Sequence, residues 1–181
     1  MMNTFAEPAF GNLAGVDAIA SATPIATKSA TMLDLFLGNV PGTIGETCKL
    51  ALLAGAAYLF VRKVITWHIP VAVLGSMAVF AFVVAAFTGG GAMLYELPAF
   101  HLLAGGAMLG AIFMATDYVT SPMTPKGMLI YGVGIGVITM IIRLWGAYPE
   151  GMSFAILLMN AVTPLINKYV KPRRFGVTSK K

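Results

Sequence analysis

Long apolar runs, separated by short polar or turn-rich breaks, make up most of the chain beyond residue 45. Five of these runs come close to the ~20 residues that a helix needs to cross the hydrocarbon core of a membrane. They cover residues 46–65, 69–88, 98–116, 127–144 and 151–167. We therefore predict an all-α integral membrane protein with about five transmembrane helices in a domain of residues 46–168.

The segments outside this domain have a different pattern. Residues 1–30 are rich in small and hydroxylated side chains, which favours a water-exposed loop. Residues 31–37 are apolar but too short to cross, so we expect 31–45 to lie at the interface or to re-enter the membrane. The first twenty residues lack the basic and apolar regions of a cleaved signal peptide. Residues 169–181 form a basic tail.

Composition supports lipid as the solvent for most of the chain. Hydrophobic residues make up 58% of the 181 residues and charged residues only 10%, whereas a soluble domain is nearer half apolar and a quarter charged. The single cysteine, Cys48, excludes an intrachain disulfide. His68 and His101 lack the spacing of a metal site, so no metal is predicted.

The basic residues indicate the orientation in the membrane. With five crossings, nine of the 12 Lys and Arg residues fall on one side, and the richer side of a membrane protein is cytoplasmic. We predict that the N-terminal arm lies outside and the C-terminal tail in the cytoplasm. The cytoplasmic set is Arg62, Lys63, Lys126, Lys168, Lys171, Arg173, Arg174, Lys180 and Lys181, and the outer set is Lys28, Lys49 and Arg143.

Two pairs of glycines have the spacing that lets helix backbones approach closely. Gly106 and Gly110 form one pair, and Gly132 and Gly136 form the other. Such pairs indicate tight packing, either inside one helix bundle or against a partner protein or ligand.

Two polar, turn-rich segments interrupt the apolar pattern, at residues 38–47 and 116–125. Both fit broken or re-entrant helices that line an ion path, and both equally fit ordinary loops in water. Asp117 lies beside the hydroxyl groups of Thr116, Thr120 and Ser121, a set that suits a hard cation such as sodium. The alternative for Asp117 is a helix cap or a turn residue. Glu46 is likewise interpreted as a cap of the first predicted span.

A third segment, residues 17–24, places Thr23 directly before Pro24. The proline favours extended backbone at Thr23, which leaves the hydroxyl group projecting for covalent modification. Taken alone, the segment is better explained as an ordinary loop, because loops rich in Ser, Thr and Pro are common.

Several strings, in this order along the chain, resemble a known family. They are Asp17 with Ser21-Ala22-Thr23-Pro24, residues 37–47 (LGNVPGTIGET), Arg62-Lys63-Val64-Ile65, Ala115-Thr116-Asp117 with residues 120–127 (TSPMTPKG), and residues 148–161 (YPEGMSFAILLMNA). The chain is similar over residues 15–175 to the RnfD/NqrB family. RnfD proteins are membrane subunits of Rnf-type ion-translocating electron-transport complexes, and NqrB proteins are their relatives in the sodium-pumping quinone reductase.

The resemblance implies a cofactor and a set of partners. In this family FMN is joined through its phosphate to a threonine hydroxyl, which by position is Thr23, and a separate transferase attaches it. Asp17, Ser21 and Ala22 belong to the recognised attachment motif. Other membrane and peripheral subunits, including a second flavin-bearing one, are the expected partners, with no nucleic acid.

The resemblance also implies a fold and a function. Family members are about twice this length and contain two inverted five-helix halves of a urea-channel-like fold, of which this chain corresponds to the second. The expected function is that of a subunit in a sodium- or proton-translocating ferredoxin:NAD oxidoreductase of a bacterial or archaeal cytoplasmic membrane, not catalytic alone. The alternatives are half of a solute channel or transporter, or a membrane anchor without a redox role.

Overall fold

The computed structural model describes residues 32–38, 45–46, 48–88, 93–146, 148 and 150–171. In these ranges the chain forms helices and no strands, which agrees with the all-α prediction. The helices are α1 (Met32–Leu37), α2 (Lys49–Val61), α3 (His68–Thr88), α4 (Met93–Leu103), α5 (Ala107–Leu109), α6 (Pro125–Trp145) and α7 (Met152–Tyr169). A π-helical turn, Gly110–Met114, continues α5.

Helices α3 and α6 are long and apolar enough to cross a membrane. Each has 21 residues, a length of about 31 Å at 1.5 Å per residue. Helix α6 begins where Pro125 fixes the first helical position and the side chain of Thr124 accepts a hydrogen bond from the Gly127 N–H at 3.1 Å. Among the other described helices, α2 is apolar but has 13 residues, so crossing by five helices stays a prediction.

Glycines bring α3 and α6 into close contact. A Cβ atom added at Gly132 would lie 2.6 Å from Ala72 Cβ, and one added at Gly136 would lie 2.7 Å from Val73 O. Larger side chains at these positions would force the two helices apart. This glycine pair therefore packs two helices within the chain, in the way that small residues do in membrane bundles.

Helix α7 packs antiparallel to α6. Near the start of α6, the buried hydroxyl of Tyr131 donates to Asn160 Oδ1, while Thr139, later in α6, contacts Met152 at the start of α7. The outward surfaces of the helices carry exposed apolar side chains, such as Val79, Phe87 and Leu157. Exposed apolar surface of this extent fits contact with lipid or with another protein chain.

The helix predicted over residues 98–116 is broken. Helix α4 ends at Leu103, the backbone turns at residues 104–106, and α5 begins at Ala107. Gly105 adopts a φ of 64°, a left-handed conformation that glycine accepts without strain. Two successive glycines, Gly105 and Gly106, thus place a break inside an apolar run.

Contacts between the loops define two ends of the bundle. At one end, which we call the cluster end, residues 46–49 meet 104–106, Arg143 and residue 150. At the other, which we call the basic end, residues 62–67 meet 118–128, and 123–124 meet 167–170. Helix α6 runs from the basic end to the cluster end, and α3 begins at the basic end and runs parallel to it.

Candidate functional site at a broken helix

The break at residues 104–106 leaves backbone groups that no helix satisfies. The last carbonyl groups of α4 and the first N–H groups of α5 lack partners within their own helices. An unsatisfied backbone group in a membrane costs several kcal/mol, so the break requires partners from elsewhere in the protein. Four ionisable side chains surround it: Glu46, Lys49, Arg143 and Glu150. We call them the break cluster.

Arg143 bonds to the carbonyl groups released by α4. Its Nη1 donates to His101 O at 2.5 Å and its Nη2 to Ala104 O at 3.2 Å. The side chain is fully buried, and Nη2 also lies 2.7 Å from Glu150 Oε1. A cation is suited to this position because a helix C-terminus carries partial negative charge.

Lys49 bonds to the next carbonyl group of the break. Its Nζ lies 2.8 Å from Gly105 O and also contacts Glu46 O. Lys49 is the first residue of α2 and is 2% exposed, so the charge is buried. Two cations from different helices therefore occupy the carbonyl side of the break.

The carboxylate groups lie on the N–H side. Glu150 Oε1 accepts from the Gly106 N–H at 3.2 Å, where the start of a helix carries partial positive charge. Glu46 is buried, and a Cβ atom added at Gly106 would lie 2.7 Å from its Oε2. A side chain at Gly106 would therefore force that buried carboxylate to move.

The formal charges of the break cluster cancel, with two cations and two carboxylates. Charges in a low-dielectric interior interact far more strongly than in water, and a buried charge that loses its partner is costly. Arg143 Nε and Glu150 Oε2 are buried atoms without a hydrogen-bond partner among the described residues. The cluster places two carboxylates beside two cationic groups at a break inside the bundle, and ionisable groups within a membrane bundle commonly mark a functional site.

The predicted ion-path residues lie at the basic end and are only partly brought together. Asp117 is exposed, and its Oδ2 accepts from Thr120 Oγ1 at 3.1 Å. Thr116 instead donates to Ile112 O at 2.7 Å, and the Ser121 N–H donates to the backbone carbonyl of Asp117 at 3.2 Å. Their role in ion movement stays a prediction.

The other predicted residues are placed as follows. Asp17, Ser21, Ala22 and Thr23 lie outside the described residues. His101 is buried, with its ring edge-on to Phe100 at 5.7 Å and its carbonyl group bound to Arg143. Its backbone therefore belongs to the break.

Comparison with known proteins decides the family. Residues 1–176 match the family described as NQR2, RnfD, RnfE. The chain belongs to the NQR2, RnfD, RnfE family. The resemblance seen in the sequence strings is thus confirmed. This membership and the two long apolar helices together indicate a membrane protein.

Named relatives in the NQR2, RnfD, RnfE family are D subunits of redox complexes. The chain is 48% identical over 171 residues to that of the Na(+)-translocating ferredoxin:NAD(+) oxidoreductase complex of Acetobacterium woodii, covering 90% of this chain and 51% of the relative. It is 44% identical over 177 residues to that of the proton-translocating complex of Clostridium ljungdahlii, covering 90% and 53%. It is 42% identical over 154 residues to that of the ion-translocating oxidoreductase complex of Pseudomonas aeruginosa, covering 82% and 44%. The chain spans about half the length of these relatives.

Sequence reasoning did not predict the break cluster. Lys49 and Arg143 entered the orientation count, and Glu46 was interpreted as a helix cap. Lys49 and Arg143 are ionisable residues near or within apolar runs. Such a position indicates that the side chain has a partner inside the bundle, and this was the one available sign of the cluster. The carbonyl groups of the break to which these two side chains bond lie 39 to 56 positions away in the chain, so local patterns could not identify them.

Proposed function

We propose that the chain is a membrane subunit of an ion-translocating ferredoxin:NAD oxidoreductase complex and carries covalent FMN on Thr23 as an intermediate electron carrier. The observation that carries the proposal is the family match, which runs from residue 1 to residue 176 and so includes the segment around Thr23. The names of the relatives support the redox complex. Because the chain spans half of those relatives, electron transfer is assigned to the assembly and not to the chain alone.

The chemistry of the Thr23 segment suits this cofactor. A threonine hydroxyl forms a stable phosphoester, as in phosphorylation, and Pro24 favours an extended backbone that leaves the hydroxyl accessible to an attaching enzyme. Asp17, Ser21 and Ala22 would be read by that transferase. Attachment through the phosphate leaves the isoalloxazine ring free, and bound FMN would supply the electron-transfer chemistry.

The topology supports placing the electron carrier outside the cytoplasm. The distribution of Lys and Arg puts the N-terminal arm outside and the C-terminal tail inside. On the same topology the break cluster lies at the outer end of the bundle, since Lys49 and Arg143 belong to the outer set. The proposed carrier and the break cluster would then share one end of the protein.

Ion movement needs ionisable groups inside the helix bundle, and the break cluster supplies them. Three of its residues are buried and Glu150 is partly exposed beside a helix break, and transporters use broken helices to bind coupling ions. Asp117 is a second candidate at the opposite end. The first two relatives described above are named for sodium and for protons respectively, so we propose a coupling ion of either kind. Asp117→Asn with unchanged electron transfer and unchanged ion pumping would remove Asp117 from the path.

The decisive experiment is peptide mass mapping of protein produced together with the flavin transferase. We expect an FMN adduct on the peptide around Thr23, and fluorescence of the denatured band in a gel. Thr23→Ala should abolish both signals. Thr27→Ala is the matched control, because it removes a hydroxyl four positions later in the same segment and should keep them.

The same experiment separates the alternative functions. An unmodified peptide in the presence of the transferase contradicts the carrier proposal and leaves the channel or the anchor. Solute uptake into liposomes would then identify a channel half, whereas no uptake would leave an anchor that holds redox partners.

A further inference from the structure

The basic end carries exposed cations that have no acidic partner among the described residues. Within those residues the one ion pair joins Arg143 to Glu150, at the opposite end. The described acid at the basic end, Asp117, bonds to Thr120. The exposed cations of this end are Arg62, Lys63, Lys126, Lys168 and Lys171.

Two of these lysines occupy positions that are unfavourable for them. Lys63 has a φ of 53°, a left-handed conformation that costs a residue with a Cβ atom energy and normally selects glycine. It follows the end of α2, where the Lys63 N–H donates to Phe60 O and the Val64 N–H to Leu59 O, both at 3.0 Å. Glycine is the usual residue at this position of such a helix cap.

Lys126 is the second residue of α6. A helix N-terminus carries partial positive charge and favours anions, so a cation there is disfavoured. Lys168 differs, because it lies in the last turn of α7, where the dipole favours a cation. Helix dipoles can therefore account for Lys168 but not for Lys126.

The two unfavourable lysines belong to neighbouring loops. Thr66 Oγ1 lies 3.5 Å from Met128 Sδ, and Lys63 and Lys126 lie three and two positions before these residues. The start of α3 is beside them, so two helix N-termini face the same region. Exposed aromatic side chains flank it, including Trp67 and Tyr118, as is typical of the level of lipid headgroups.

We propose that Lys63 and Lys126 bind the phosphate of an anionic membrane phospholipid at the basic end. A phosphate offsets both unfavourable features, since it pairs with the two ammonium groups and suits helix N-termini. The adjacent Trp67 ring stacks on His68 at 4.3 Å and offers an amphipathic surface near the acyl chains. Basic sites between membrane helices commonly bind such headgroups. The proposal does not depend on the flavin.

The test uses the full chain, stripped of lipid and held in detergent, with phosphatidylglycerol or phosphatidylcholine added. Phosphatidylglycerol should raise the Tm by about 5 °C or more at saturation, and phosphatidylcholine should not. Lys63→Gly and Lys126→Gln should each lower the apparent affinity for phosphatidylglycerol about five-fold. Native mass spectrometry should show matching loss of retained anionic lipid. Lys63→Gly relieves the left-handed strain, so it is expected to fold.

Lys168→Gln is the matched control, since it removes an exposed cation of the same end and should change the affinity less than about two-fold. An equal loss of affinity in Lys168→Gln would show that diffuse surface charge binds the lipid, which would overturn the proposal. Equal stabilisation by the two lipids would overturn it as well. Stabilisation by inorganic phosphate at the same concentration would show that the site binds a free anion and not a lipid.

Discussion

The two ends of the bundle carry similar kinds of charged residue in opposite arrangements. At the cluster end two cations and two carboxylates lie around a broken backbone, where Arg143 pairs with Glu150 and both cations bond to carbonyl groups of the break. At the basic end, exposed cations face outward with a single described acid among them. The first arrangement holds the helices together, whereas the second is available to surroundings outside the chain.

This difference shows that charge count alone does not assign a role. Lys49 is the first residue of α2, and Lys63 follows the end of the same helix. Lys49 is buried against two carbonyl groups, whereas Lys63 is exposed. A buried ionic group must have partners, and its loss leaves others unpaired. Neutralising an exposed cation costs the protein little stability.

The largest expected effect is that of Arg143→Met. The substitution leaves the carbonyl groups of His101 and Ala104 unpaired and removes the partner of Glu150, so we expect a loss of about 3 kcal/mol of unfolding free energy. Thermal unfolding in detergent measures it. Arg62→Met at the basic end should change the unfolding free energy by less than about 0.5 kcal/mol. Equal losses in the two variants would contradict the difference between the two ends.

Gly106→Ala should destabilise the protein by about 1–3 kcal/mol, because the new methyl group collides with Glu46. Gly75→Ala is the control, since a Cβ atom at Gly75 meets nothing within 4 Å and alanine favours a helix interior. Combining Gly106→Ala with Glu46→Ala should cost less than the sum of the two single variants. Strict additivity would show that the collision with Glu46 is not the cause.

Lys49→Met should cost about 1–3 kcal/mol, since Gly105 O loses its bonding partner in a buried site. Lys168→Met, on an exposed surface, should cost less than about 0.5 kcal/mol. Chemical denaturation in mixed micelles, followed by the fluorescence of the tryptophans, compares the two. A smaller loss in Lys49→Met than in Lys168→Met would mean that the break does not need this lysine.

The smallest expected effect is that of Lys63→Gly in the absence of lipid. Relief of the left-handed conformation favours the folded state by about 1 kcal/mol, and the greater freedom of glycine in the unfolded chain offsets part of this. The Tm should therefore rise slightly or stay constant. A clear fall in Tm would show that the lysine side chain stabilises the basic end without any ligand.

The sequence predicted the long helices well. The runs 69–88 and 127–144 correspond to His68–Thr88 and Pro125–Trp145, because glycine and proline mark the ends of uniformly apolar segments. The glycine pair in α6 correctly indicated close packing. These features depend on neighbouring residues in the chain and can therefore be inferred from local patterns.

The break and its cluster could not be predicted in the same way. The run 98–116 is apolar apart from His101 and its last residue, and its Gly106 was interpreted, together with Gly110, as a packing pair. The side chains that bond to the break come from α2, α6 and the segment before α7. Such partners are determined by the tertiary fold. In the sequence, a charge near an apolar run indicates that a partner exists but does not identify it.

The break at residues 104–106 also bears on how the protein is made. Its carbonyl and N–H groups are satisfied partly by Arg143, 39 positions after Ala104, and by Glu150, 44 positions after Gly106. While the ribosome has yet to produce α6 and residue 150, the nascent chain holds a broken helix that lacks these two partners. Because unpaired backbone groups are costly in lipid, we expect α4 and α5 to stay in contact with water or with the insertion machinery until α6 is made, and to enter the lipid together with it.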